Sequence, residues 1–174
     1  MCQSCHSGLP LRFEVVDEAG IVAAATAAHA SRQAWHFHVL APSCTFSPKP
    51  GVYTFLLELT EAKRVLCAFY DDKPTAVNKQ LLPLLHGEDA LADKPAGVSP
   101  SDEDEALLTL IEAAVKTGTN WHHHMMFPAC GLNASDGKWR LFVEIEGEEP
   151  VIRDYADEPS RVLNRIERIY FGLN

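Results

Sequence analysis

The sequence lacks long apolar runs and clusters of positive charge. No stretch approaches the roughly 20 consecutive apolar residues that a membrane-spanning helix needs, so we expect no association with a membrane. Residues 1–20 hold no basic segment followed by an apolar one, so we expect no secretory signal. The net charge is −9, and residues 88–174 carry all of it, with 8 Lys or Arg against 17 Asp or Glu. This acidity argues against a nucleic-acid partner.

Several familiar catalytic motifs are also missing. The chain holds no Gly-rich phosphate loop, no G-x-S-x-G and no H-E-x-x-H sequence. Cysteine is scarce and odd in number, which, without a secretory signal, predicts reduced thiols and a cytoplasmic location. The five cysteines are Cys2, Cys5, Cys44, Cys67 and Cys130.

The first two cysteines lie in a C-x-x-C-H sequence that ends at His6. This pattern attaches c-type haem, but haem attachment normally requires export, so the sequence argues against haem here. Cys2, Cys5 and His6 could instead hold zinc or add donors to a metal site elsewhere in the chain. The other interpretation is a reduced thiol pair on a terminal tail.

The most informative feature is an internal repeat at an offset of 86 residues. Residues 35–44 are WHFHVLAPSC and residues 121–130 are WHHHMMFPAC, so both fit W-H-x-H-x-x-x-P-x-C. The match extends through GVYTFLLEL at 51–59 and GKWRLFVEI at 137–145. After one deletion, YDDKPTAV aligns with YADEPSRV. Because Trp, His and Cys are rare residues, we predict a duplicated unit.

Each copy predicts the element order α-β-β-β-α. The first helix covers about Glu18–Gln33 in one copy, and in the other it begins after Ser101 and ends at Gly118. Three strands follow, and a final helix begins near Pro74 or Pro159. We therefore predict an α+β fold with an internal duplication. Its antiparallel sheets would carry helices packed on one face and be related by a pseudo-two-fold axis.

The repeat also divides the chain into segments within one compact domain. Residues 1–17 form an N-terminal tail that could add a strand, 18–87 the first copy, 88–100 a linker and 101–174 the second copy. The element order resembles the double-stranded-RNA-binding fold in outline, and also acidic secretion-chaperone-like domains. The basic loop and basic second helix of the RNA-binding family are absent, so its function does not follow.

The repeated histidines are the main candidates for a functional site. Residues two apart on a strand share one face and lie about 6–7 Å apart, a spacing that can chelate a metal ion. If the pseudo-two-fold axis brings both pairs together, four imidazoles would meet, a donor set that suits Zn, Ni, Cu or Fe. These candidate ligands are His36, His38, His122 and His124.

Other residues near the repeated histidines receive secondary roles. Cys44 and Cys130 could be further ligands or nucleophiles, or buried small apolar residues. His123 takes the place of Phe37 on the apolar face, so we give it no role in the site. Asp72 and Asp157 precede the final helices and are predicted to cap them, the alternative being that they orient a metal-bound histidine.

The sequence is compatible with two functions. One is a transition-metal site of the Zn, Ni or Fe type, which could serve a metal-dependent hydrolase. The other is a non-catalytic interaction, adaptor or chaperone-like module, with a protein partner or homodimer, in which the His and Cys residues are structural. Metal-free acid–base catalysis is also chemically allowed. However, two-histidine phosphoesterases carry H-x-T/S, where this chain has His38 and His124. The sequence identifies no substrate and no catalytic residue.

Overall fold

The computed structural model describes residues 13–93, 97–133 and 137–173, and within these ranges it forms four α-helices and two β-sheets. The fold is α+β, as predicted. Cys2, Cys5 and His6 lie outside the described residues. The first half contains β1 (Phe13–Val15), α1 (Glu18–Ala30), β2 (Trp35–Leu40), β3 (Tyr53–Leu59), β4 (Arg64–Tyr70) and α2 (Thr75–His86).

The second half repeats the order of one helix, three strands and one helix. It contains α3 (Asp102–Thr117), β5 (Trp121–Met126), β6 (Trp139–Ile145), β7 (Val151–Tyr155) and α4 (Ser160–Tyr170). Each predicted element is present near its predicted bounds. Descent of the two halves from one duplicated unit stays a prediction.

The two sheets differ in one strand. The order is β1-β4-β3-β2 in the first sheet and β5-β6-β7 in the second. The three strands of each repeat are antiparallel, but β1 runs parallel to β4, so the first sheet is mixed rather than wholly antiparallel. The meander leaves β4 with an open edge, and β1 pairs with that edge before the chain enters α1.

The first helix of the second half has the start and stop that the sequence predicts. Ser101 Oγ accepts a hydrogen bond from the Asp104 backbone N–H, and the Asp104 carboxylate accepts one from the Ser101 N–H at 2.8 Å. This reciprocal arrangement is a capping box. Gly118 ends the helix in the left-handed conformation, with φ of 71°.

The final helices begin differently from the prediction. Their first flanking residues are Pro74 and Pro159, and no side chain caps either helix. The predicted capping role of Asp72 and Asp157 is therefore wrong. The fixed φ of proline already suits a helix start, so the chain enters each helix without a side-chain acceptor.

The helices pack on one face of each sheet. In the first half, Phe55 and Leu57 of β3 pack with Ile21 of α1 and Leu81 of α2. Leu141, Val143 and Ile145 of β6 do the same with α3 and α4 in the second half. Because side chains alternate along a strand, His36 and His38 of β2 and His122 and His124 of β5 lie on the sheet faces that point away from the helices.

Each half sends a loop over the histidine-bearing face of the other half. The loop of residues 41–52 follows β2 and brings Phe46 against Phe142 of the second sheet, with ring centroids 5.3 Å apart. Residues 127–133 follow β5 as a loop, and Leu132 packs with Leu40 and Leu56 of the first sheet. This exchange of loops moves one cysteine of each half onto the other half.

The predicted linker is partly packed. Residues Glu88–Leu91 form a short 3₁₀ helix, and Asn164 Nδ2 of α4 donates a hydrogen bond to the Ala90 carbonyl at 2.8 Å. Arg168 Nη1 donates another to the Leu91 carbonyl at 2.7 Å. The two halves are therefore joined by a segment anchored on α4. None of the helices within the described ranges is both long and apolar enough to cross a membrane.

Candidate metal sites

The first group of candidate ligands, cluster 1, lies on the face of the first sheet that points away from the helices. It consists of His36, His38, Glu58 and Cys130. In the antiparallel pairing of β2 with β3, His36 stands directly opposite Glu58. The apolar residues on either side of Glu58 point to the helices, so its carboxylate must share the face of the histidines. His36 is 1% exposed and His38 is 3% exposed.

The donor atoms of cluster 1 approach one another closely. His36 Nε2 lies 3.0 Å from Glu58 Oε2, and Cys130 Sγ lies 3.3 Å from His38 Nε2. The thiol of Cys130 also donates to Glu58 Oε2 at 3.6 Å. One donor atom from each of the four residues lies within 4.8 Å of the others. Such a group could hold a metal ion.

The second group, cluster 2, has the same composition and consists of Cys44, His122, His124 and Glu144. His122 stands opposite Glu144 in the pairing of β5 with β6, and its Nε2 lies 2.6 Å from Glu144 Oε2. Cys44 Sγ lies 3.2 Å from His124 Nε2. The donors again lie within 4.8 Å of one another.

The two clusters exchange their cysteines. Cluster 1 takes two histidines and a glutamate from the first half and Cys130 from the second half, whereas cluster 2 does the reverse with Cys44. The residue after each cysteine also contacts the glutamate. Gly131 N donates to Glu58 Oε1 at 3.0 Å, and Thr45 Oγ1 donates to Glu144 Oε1 at 3.3 Å. Each glutamate is therefore oriented by the half that supplies the sulfur.

Backbone amides surround both sulfur atoms in the same way. The N–H of Phe46 donates to Cys44 Sγ at 3.4 Å, and the N–H of Leu132 donates to Cys130 Sγ at 3.4 Å. Such bonds favour the thiolate, but burial acts in the opposite direction. Burial raises the pKa of Cys44 to about 12 and also raises the pKa of Cys130. Without a cation, both thiols stay protonated.

Burial also keeps two of the histidines neutral. It lowers the pKa of His38 to about 3 and lowers the pKa of His124 well below its ordinary value, in each case with help from the neighbouring histidine. The carboxylates differ: burial acts to raise their pKa, but the close approach of the paired histidine holds the pKa of Glu58 and of Glu144 below the usual value. Each cluster thus presents one neutral imidazole, that of His38 or His124, beside an ionised carboxylate, and both are protonation states that a metal ligand set requires.

Several buried ring nitrogens have no hydrogen-bond partner among the described residues. In cluster 1 these are both nitrogens of His36 and Nδ1 of His38. In cluster 2, His122 Nε2 and Glu144 Oε2 are likewise without a hydrogen bond, although they lie only 2.6 Å apart. Polar atoms at such distances normally form a hydrogen bond, and these pairs do not.

The repeated histidine pairs meet, but they form two groups rather than one. The rings of His38 and His124 lie 6.2 Å apart between centroids, so the clusters are neighbours across the contact between the halves. Each nevertheless has its own glutamate and cysteine. Four imidazoles around one ion, as the sequence suggested, are replaced by two mixed sets of nitrogen, oxygen and sulfur donors.

The remaining candidates within the described residues, Asp72 and Asp157, lie outside both clusters. Both are exposed. His123 faces the helices, where its Nε2 contacts Glu167 Oε1 of α4 at 3.0 Å. Glu58 and Glu144 were not predicted as candidate ligands. Their signal was a glutamate repeated at the same offset and out of phase with the apolar alternation of its strand.

Comparisons with family models, with characterised proteins and with solved structures gave no match for this chain. The functional argument therefore depends on the geometry of the two clusters.

Proposed function

We propose that this protein binds two transition-metal ions, one in cluster 1 and one in cluster 2, and that Zn²⁺ fits both best. The observation that carries the proposal is the approach of His36 Nε2 to Glu58 Oε2 at 3.0 Å without a hydrogen bond, together with its counterpart at His122 and Glu144. A cation between these atoms would account for two close, buried and unbonded pairs at once.

The distances also fit a tetrahedral ion. Zinc bonds of about 2.0–2.1 Å to nitrogen or oxygen and about 2.3 Å to sulfur separate the ligand atoms by roughly 3.3–3.6 Å. The close pairs in cluster 1 measure 3.0, 3.3 and 3.6 Å. Those in cluster 2 measure 2.6 and 3.2 Å, so a small outward adjustment would admit an ion.

Charge balance supports a divalent cation of borderline softness. A glutamate and a cysteine thiolate supply two negative charges, and the imidazoles supply none. A divalent ion would therefore neutralise each cluster, which removes most of the cost of burying the carboxylate. Imidazole and thiolate suit Zn²⁺ and related transition metals better than Ca²⁺ or Mg²⁺.

The complete donor sets favour a structural or exchangeable ion over hydrolysis. Catalytic zinc normally keeps three protein ligands and one open position for water, whereas closed structural sites have four. Each cluster offers four donors. Because the cysteine crosses between halves, each ion would tie the loop of one half to the sheet of the other.

Metal content tests the proposal. Untagged protein should contain about two ions per chain by elemental analysis, and His36→Ala or His122→Ala should each remove one. His29→Ala is the control, because His29 is exposed and belongs to neither cluster. Substitution with Co²⁺ should give the strong visible absorption of a tetrahedral site and a thiolate charge-transfer band. Metal-free protein whose melting temperature does not respond to Zn²⁺ or Ni²⁺ would refute the proposal.

A further inference from the structure

The two clusters differ in the residue that covers their first histidine. In cluster 1, Phe127 of the second half lies over His36, with ring centroids 4.7 Å apart, and Trp139 packs on Phe127 at 4.6 Å. At the repeat offset of 86, the residue that corresponds to Phe127 is Ala41. An alanine side chain cannot cover an imidazole in the same way.

The pocket beside cluster 2, where this aromatic cover is missing, is much larger than the cavity of about 50 Å³ lined by His36, His38 and Phe127. The pocket has a volume of about 440 Å³, and its walls include Ala41, Ser43 and Tyr53 of the first half. His122 and Glu144 of cluster 2 also line it. His122 is 6% exposed, and its Nε2 has no hydrogen-bond partner among the described residues. The pocket therefore connects solvent with an unsatisfied donor of cluster 2.

The lining of this pocket is negatively charged. Exposed Glu146 and Glu148 line it together with Glu144, and no Lys or Arg is among its lining residues. At the same offset, the first half has Thr60 and Ala62 in place of these two acids. Carboxylates that line a cleft raise the local concentration of divalent cations, so this pocket attracts the ions that cluster 2 would bind.

We propose that cluster 2 exchanges its metal ion with solution through this pocket, whereas cluster 1 retains its ion beneath Phe127. This inference rests on the proposed function, because it assigns different behaviour to the two sites. The ligand of the pocket is a divalent transition-metal ion. The protein would thus combine one retained ion with one that it can accept or give up.

Release of zinc to a colorimetric chelator tests the inference. Protein loaded with Zn²⁺ and mixed with excess 4-(2-pyridylazo)resorcinol should release its ions in two phases of equal amplitude, with rates that differ by about tenfold or more. Cys44→Ser should abolish the fast phase, and Cys130→Ser should abolish the slow phase.

The residue that covers each cluster, Ala41 or Phe127, should determine how fast that cluster releases zinc. Ala41→Phe should slow the fast phase toward the slow one, and Phe127→Ala should speed the slow phase toward the fast one. Val98→Phe adds the same ring at an exposed position away from both clusters and should change neither rate. Ala41→Leu, a smaller change, should give a partial effect if the phenylalanine variant fails to fold.

The possible results separate this inference from the proposed function. Two bound ions that leave at one common rate, or a fast phase that survives Cys44→Ser, would overturn the inference and leave two metal sites standing. Rates that Ala41→Phe and Phe127→Ala leave unchanged would overturn it as well. Protein that binds no Zn²⁺ at all would remove both the inference and the proposed function.

Discussion

Because the two halves exchange their cysteines, we predict that substituting a cysteine in one half affects the metal cluster on the sheet of the other half. Cys130 belongs to the second half but supplies the sulfur of cluster 1, whose other three donors lie on β2 and β3. Cys130→Ser should therefore remove metal-dependent protection from the first sheet. Cys44→Ser should remove it from β5 and β6. Each substitution acts on the half that does not contain it.

The size of this effect follows from ligand binding to the folded state. At a free zinc concentration of 100 times Kd, one bound ion stabilises the fold by about 2.7 kcal/mol. This corresponds to about a 100-fold slower exchange of the amides that its release exposes, and to about 5–10 °C in Tm for a chain of this size. His36 faces Glu58 in the β2–β3 pairing, so the amides of these strands should show the loss most strongly.

Hydrogen–deuterium exchange with and without Zn²⁺ measures this loss strand by strand. Cys67→Ser is the matched control, because Cys67 is a buried free cysteine of β4 that belongs to neither cluster. It should lower stability in both conditions while leaving the zinc-dependent difference unchanged. The reasoning is refuted if Cys130→Ser removes zinc protection from β5 and β6 instead, or if Cys67→Ser has the same effect as Cys130→Ser.

Three further predictions concern the scaffold. Asp104→Asn should lower the free energy of unfolding by about 2 kcal/mol at pH 7, measured by urea unfolding, because the Asp104 carboxylate accepts hydrogen bonds from Ser101 and from the Tyr155 hydroxyl. The control Asp102→Asn changes an exposed residue and should have little effect. Hydrogen bonds from Ser101 and Tyr155 hold the folded pKa of Asp104 below normal despite burial, so its contribution should be present above about pH 4 and disappear as pH falls through the folded pKa. His123→Phe should lower the stability of the fold by about 3 kcal/mol or more, because it removes the partner of the buried Glu167 carboxylate. The double variant with Glu167→Leu should recover this stability, and thermal unfolding measures both effects. Gly118→Ala should lower the stability by about 1 kcal/mol in the same assay. The cause is backbone strain at the φ of 71°, because nothing lies within 4 Å of the added Cβ, and Gly118→Asn should lower the stability less.

Local patterns predicted the elements because the forces behind them are local. The alternation in β3 and β6 and the Ser101 and Gly118 signals depend on residues within one or two turns of the chain. The parallel pairing of β1 was not predictable in this way, because it depends on which edge the folded meander leaves open. The two final helices also start without the expected acid cap, because proline already provides the required backbone angle.

The candidate site was predicted in part. The residues that were missed depend on tertiary structure, which the sequence patterns do not report. The histidine pairs follow from a repeated motif on a strand, and their shared face follows from strand geometry. Pairing Glu58 with His36 requires the register of β2 against β3, which no single segment carries. The assignment of Cys130 to cluster 1 requires the path of a loop across the contact between the halves. No local signal reports that path, so the sequence suggested one group of candidate ligands where the structure has two.

The energetics of burial distinguish a metal site from a purely structural role for the motif. A structural histidine in a core is normally satisfied by a hydrogen bond, because an unpaired buried polar group costs about 1–3 kcal/mol. Here Nε2 of His36, Nε2 of His122 and Oε2 of Glu144 lack such bonds among the described residues. A domain with a total stability of about 5–15 kcal/mol could not easily carry these costs twice over without compensation. A bound ion would engage the Nε2 atoms and the carboxylate together, and structural zinc contributes about 10–16 kcal/mol in small domains. The repeated set of unsatisfied donors is therefore better explained by a ligand than by packing.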